Sequence, residues 1–79
     1  MAHDLVWDRH ILKHFKNVAI LTEEEEIVLN EWVNGKSIAN TAIFFHMSER
    51  KVNYIRKTIR QKYDRVAVYT PELPKRNTR

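Results

Sequence analysis

Ser48-Glu49-Arg50-Lys51-Val52-Asn53-Tyr54-Ile55-Arg56-Lys57-Thr58-Ile59-Arg60-Gln61-Lys62-Tyr63 decides how this 79-residue chain is read. At helical spacing Val52, Ile55 or Arg56, Ile59 and Tyr63 fall on one stripe. Arg50, Lys51, Asn53, Tyr54, Lys57 and Arg60 then point away from it. The spacing predicts a helix over 48–63 with an apolar spine and a basic, hydrogen-bonding outer face. A helix of that kind can enter a DNA major groove while its other side is held in a small core. The plainer reading of the same charges is a solvated surface, and the neighbouring segments have to decide.

Just upstream, Ser37 can cap a short helix through Phe45, with Ile38, Thr41, Ala42 and Phe45 at core spacing. His46-Met47 makes the turn, Met47 enters the core, and Ser48 caps the 48–63 helix. Further back, Thr22 and Glu25 form a capping-box pattern, and Glu23, Glu24 and Glu26 place acids beside the positive end of a helix dipole. That acidic run reads as helix capping before it reads as a partner-binding patch. Its helix carries Val28, Leu29, Trp32 and Val33 inward and stops at Gly35, the only glycine, which suits a left-handed position. An amphipathic helix over 4–16 completes the set, with Asp4 as N-cap, Leu5, Trp7, Ile11, Leu12 and Phe15 on one face, and Asn17 at its end. Downstream of Tyr63 the pattern dissolves. Val66-Ala67-Val68-Tyr69 reads as extended, and 64–79 reads as a basic tail restricted by Pro71 and Pro74.

The expected architecture is one all-α domain over 1–79, a small bundle of about four helices containing a helix-turn-helix, with an extended C-terminal tail. Without cysteine there is neither a disulfide framework nor a thiolate zinc site. No apolar run has the length of a membrane span and no signal-peptide pattern is present, so a cytoplasmic location and no membrane partner are expected. His10 and His14 have metal-ligand spacing on a helix but no assured third ligand, and they read as surface histidines; no metal or cofactor is expected. No glycine-rich loop and no acid–base–nucleophile set is recognisable, so neither an enzyme nor a small-molecule site is expected. The tryptophans and phenylalanines read as core before they read as a stacking platform for single strands.

Charge is unevenly distributed. The net formal charge is +1 over residues 1–20, −4 over 21–47 and +7 over 48–79. A basic C-terminal half within a chain of only +4 overall fits a polyanion-binding face. Arg50 and Lys51 sharpen the point, because the dipole disfavours cations in a first helical turn by roughly 0.3–1 kcal/mol. A phosphate there would reverse the penalty. Asn53, Tyr54, Lys57 and Arg50 are therefore the candidate base readers: the Asn amide for adenine, a cation for guanine, and Tyr54 for a thymine methyl or a phosphate. Ser37, Ser48, Lys51, Arg60, Gln61, Lys62 and Arg76 are the candidate phosphate contacts.

From Leu21 to Tyr63 the chain resembles the LuxR/GerE-type helix-turn-helix domain, of the winged-helix-like superfamily. The matching positions are Leu21, Thr22, Glu25, Val28, Leu29, Gly35, Ser37, Ala42, Ser48, Val52, Ile59 and Lys62, in register without insertion, with conservative matches at Phe45, Met47 and Tyr63. The resemblance implies a double-stranded DNA-binding transcriptional regulator of bacterial or phage type, with 48–63 as recognition helix. The family's groove-reading positions hold Asn53, Tyr54 and Lys57 here, an unusual set. Thr41 stands in place of a buried aliphatic residue and His46 in place of the turn glycine. Ile55 stands where the family has histidine, and there the chain is similar to region four of primary sigma factors. Ile43 and Phe44 are apolar where the family is commonly polar, consistent with cover by the 4–16 helix or with a dimer surface. Expected protein partners are a second copy or RNA polymerase. The alternative role is a sigma-like or partner-dependent protein-interaction module with only non-specific DNA affinity.

Overall fold

The computed structural model describes residues 7–76, and every regular element among them is a helix. In chain order these are α1 (Arg9–Val18), α2 (Glu23–Val33), α3 (Ile38–Phe44) and α4 (Glu49–Ala67). None of the described helices is long and apolar enough to cross a membrane. The chain divides into two compact units, Leu21–Ile59 and Met1–Ile20 with Arg60–Arg79.

In the Leu21–Ile59 unit, local chemistry sets each boundary. The Thr22 side chain accepts the Glu25 N–H at 3.2 Å while the Glu25 carboxylate accepts the Thr22 N–H at 2.9 Å, the reciprocal box expected from the sequence. α2 ends as Gly35 turns left-handed at φ +83°, with its N–H on the Trp32 carbonyl and the Lys36 N–H on the Glu31 carbonyl. A Cβ at Gly35 would meet nothing within 4 Å, so the backbone angle alone asks for glycine. Ser37 then caps α3 by accepting the Asn40 N–H at 3.0 Å. Thr41 is fully buried where an aliphatic residue would be ordinary, and its hydroxyl donates to the Ser37 carbonyl at 2.9 Å. The polar group is thereby satisfied inside the core.

α3 stops at Phe44, one residue short of the expected end, and Phe45 is its C-cap. The reason lies in the next residue: His46 adopts φ +56°, and the Met47 N–H closes back onto the Ala42 carbonyl at 2.8 Å. Met47, Phe45 and Ile38 are half-buried, so the buried apolar side chains of this unit are Val28, Leu29, Ala42, Val52, Ile55 and Ile59, joined by the polar Glu25, Thr41 and Arg56. Ile43 and Phe44 remain 75% and 71% exposed, so they are surface residues and not core. Left-handed backbone costs a residue with a Cβ about 1–2 kcal/mol, partly offset by the extra unfolded-state entropy of glycine. His46→Gly is therefore expected to stabilise the fold by about 0.5–1 kcal/mol, read as a rise of roughly 2–8 °C in melting temperature.

In the second unit α1 begins at Arg9, later than expected. Asp8 is the N-cap, its carboxylate accepting the Ile11 N–H at 2.8 Å. Trp7 thus precedes the helix; Asp4 and Leu5 lie outside the described residues. α1 also runs past Asn17 to Val18, with Ala19 as its C-cap. Phe15 is fully buried, and its ring lies 5.3 Å from that of Trp7 and 5.7 Å from that of Tyr63.

The larger correction concerns 64–79. α4 continues through Val66 and Ala67, whose composition predicts an extended segment, and only Val68 and Tyr69 leave the helix. Val66 and Ala67 sit three and four residues after Tyr63 and continue its buried stripe, at 6% and 4% exposure, whereas Val68 and Tyr69 are open. Helical burial outweighs the strand preference of a valine-rich run. Nor is the following segment an extended tail as far as Arg76. Thr70 and Leu73 are buried, the Leu73 N–H bonds the Thr70 carbonyl, and the Tyr63 hydroxyl donates to the Pro74 carbonyl. Arg76 closes the segment with two hydrogen bonds to the Asp64 carboxylate, at 2.8 and 2.6 Å.

Candidate nucleic-acid interface

The N-terminal half of α4 carries the candidate base readers. Ser48 caps it, accepting the Lys51 N–H at 3.0 Å. Val52, Ile55 and Arg56 are buried on the inner side, and this fixes what the outer side presents. Arg50, Asn53, Tyr54 and Lys57 are all exposed, and their spacing of three, four and seven residues puts them on one stripe. Among the described residues, none of these four side chains makes a hydrogen bond or ion pair within the chain. Tyr54 is 69% exposed, a large ring held in water between an amide and a cation.

Spacing alone does not choose between Ile55 and Arg56 for the inner stripe of the helix. The structure buries both, and Arg56 is 8% exposed. Its guanidinium lies 4.7 Å from the centre of the Trp32 ring and donates to the Lys36 carbonyl at 2.9 Å. One cation thus ties α4 to the end of α2 and to the turn after Gly35, by cation–π attraction and a charge-assisted hydrogen bond. The sequence signal is an arginine interrupting an apolar stripe, with a tryptophan two helices upstream.

Most candidate phosphate contacts are already engaged. Ser37 and Ser48 accept backbone N–H groups as caps, which leaves each hydroxyl proton to donate elsewhere. Lys51 pairs with Glu24 at 2.7 Å, both side chains half exposed. That pair relieves part of the dipole penalty at Lys51 without any phosphate, and a phosphate would have to displace Glu24. Arg50 keeps the penalty. Arg60, Gln61, Lys62 and Arg76 belong to the other unit. There Lys62 donates to the Ile20 carbonyl at 2.8 Å and Arg76 is held by Asp64, while Gln61 is exposed. Arg60 is half-buried and also interacts within the chain.

His10 and His14 meet each other edge to face at 4.5 Å. No group of three or more His, Asp or Glu among the described residues could hold a metal ion. No family model, curated protein or solved structure matches the chain.

Proposed function

We propose that this chain is a sequence-specific double-stranded DNA-binding protein, a small transcriptional regulator of helix-turn-helix type that inserts α4 into the major groove. One observation carries the proposal: Arg50, Asn53, Tyr54 and Lys57 form a single exposed stripe with no hydrogen-bond or ion-pair partner for their side chains among the described residues. Three nearby polar side chains, those of Lys51, Arg56 and Thr41, are by contrast already engaged. Holding long polar side chains in reserve on a well-buried helix suits base edges, which demand paired donors and acceptors. The Ser48 cap, the α3–turn–α4 succession and the left-handed His46 support the same reading, in keeping with the resemblance to LuxR/GerE-type domains and to sigma region four.

Asn53 is assigned to adenine through its amide edge, and Lys57 and Arg50 to guanine. Tyr54 packs on a thymine methyl or donates to a phosphate. Lys51, released from Glu24, neutralises backbone charge at the start of the helix. Ser37, with the hydroxyl proton its cap leaves available, is a further phosphate donor.

Salt separates this reading from that of a protein-interaction module. Neutralising three to four phosphates gives a log–log slope of affinity against salt of about −2.7 to −3.6. Glu24→Gln frees Lys51 and is expected to steepen that slope by up to about 0.9. A fluorescence-anisotropy titration of a duplex at four salt concentrations reads both. A flat salt response would move the function to the protein-interaction module, since an apolar partner interface releases few counterions.

A further inference from the structure

Ile43 and Phe44 are the large apolar side chains that α3 leaves in water, at 75% and 71% exposure. They line an open groove of about 390 Å³ together with Glu31, Lys36 and Asn40, to which no residue of α4 contributes. Phe44 is held in place, its ring meeting that of Phe45 edge to face at 4.9 Å, so presenting it costs little further ordering. Neither the Glu31 carboxylate nor the Lys36 ammonium has an ion-pair partner among the described residues.

We propose that this groove is the contact between two copies of the chain, related by a two-fold axis. An isologous interface requires a patch that complements itself, so that each group of one copy is answered by a group of the other. Here an apolar pair lies in a groove bearing one unpaired acid and one unpaired base. Two-fold pairing places Ile43 and Phe44 against their equivalents and Glu31 of each copy against Lys36 of the other. A partner of uniform charge would leave one of these two groups unanswered. The patch is small beside the roughly 800 Å² per partner of a standard interface, so association is weak and depends on concentration. Because α4 takes no part, the contact is independent of the DNA reading and leaves the candidate base readers open.

Sedimentation equilibrium of the full chain without DNA tests the proposal, over about 10 μM to 1 mM protein, the range of a weak interface. The mass is expected to rise from monomer toward dimer and no further. Phe44→Asp should raise the dissociation constant at least about tenfold, with far-UV circular dichroism unchanged because the side chain is exposed. Glu31→Lys and Lys36→Glu should each weaken the dimer about three- to tenfold, and the double variant should recover it. The proposal is overturned by a monomer mass at the highest concentration, by growth beyond the dimer, or by wild-type association of Phe44→Asp. Failure of the double charge swap to recover would equally overturn the two-fold pairing.

Discussion

Asn53→Ala combined with Lys57→Ala is expected to abolish site preference while leaving the fold and most non-specific affinity in place. Each residue makes a directional contact to a base edge in the proposed function, and a good contact of this kind discriminates by about 1–3 kcal/mol. Losing both should cost roughly 2–6 kcal/mol of preference for the cognate site over a scrambled one, or about 30-fold to more than 10⁴-fold. Non-specific binding should fall by less, because Lys57 contributes one charge and Asn53 none. Stability should hardly change. Both side chains are exposed and neither has a partner among the described residues, so their removal opens no cavity and orphans no described group. The measurement is selection of bound sites from a random duplex pool, followed by competition of the enriched site against its scramble. An enriched motif retained by the double variant would sink the assignment of α4 as the reading helix. The motif's symmetry also bears on assembly, since an inverted repeat matches two copies related by a two-fold axis.

How much of this was legible in the sequence varies with the range of the interaction. Thr22 with Glu25, Gly35, Ser37, His46 and Ser48 all act within three to five residues, and each was readable from residue type and spacing. The stripe of exposed polar residues on α4 follows equally from period, given the buried Val52, Ile55 and Ile59. What spacing could not supply was the choice among equivalent local signals. Asp4 reads as the first N-cap from sequence, whereas the structure caps α1 at Asp8, in a segment where the rings of Trp7 and Phe15 meet that of Tyr63 far along the chain. Val66-Ala67-Val68-Tyr69 has strand-like composition, and only the buried helical stripe extending from Tyr63 shows why Val66 and Ala67 stay in α4. The partners of the cations were hidden for the same reason. Arg56 reaches a carbonyl 20 residues away, Lys62 one 42 residues away, and Arg76 an acid 12 residues away. A basic stretch in the sequence therefore overstated the charge free to meet phosphate.

Tyr63→Ala is expected to produce the largest loss of stability, about 3–5 kcal/mol, on the scale of buried aromatic truncations. Tyr63 is 1% exposed, and its ring stands 5.7 Å from that of Phe15 and 6.0 Å, edge-on, from that of Trp7. Its hydroxyl also holds the segment after α4 by donating to the Pro74 carbonyl. Truncation removes the ring contacts, leaves a cavity beside Phe15 and releases the carbonyl at once. Tyr63→Phe separates these parts: it keeps the ring and should cost only about 0.5–1.5 kcal/mol for the lost hydrogen bond, plus any penalty for the carbonyl left behind. Denaturant unfolding of the two variants against the parent checks the order, and equal losses would mean that the hydroxyl and not the ring carries the site. Alkaline pH adds an independent handle. Burial first, and then the neighbouring Asp64 carboxylate, push the Tyr63 phenol above its ordinary value, with the Arg76 guanidinium opposing them. A folded-state pKa above the unfolded one gives stability that is complete below about pH 10, the unfolded value, and is lost as pH rises through the folded one. Above about pH 10 the unfolded chain releases the Tyr63 proton more readily than the folded chain does, so stability falls with pH. Tyr63→Phe removes that proton and should flatten the alkaline limb of a stability–pH curve relative to the parent, while the exposed Tyr54 and Tyr69 remain in both proteins. An alkaline limb of unchanged steepness would show that the Tyr63 hydroxyl titrates as freely in the folded protein as in water.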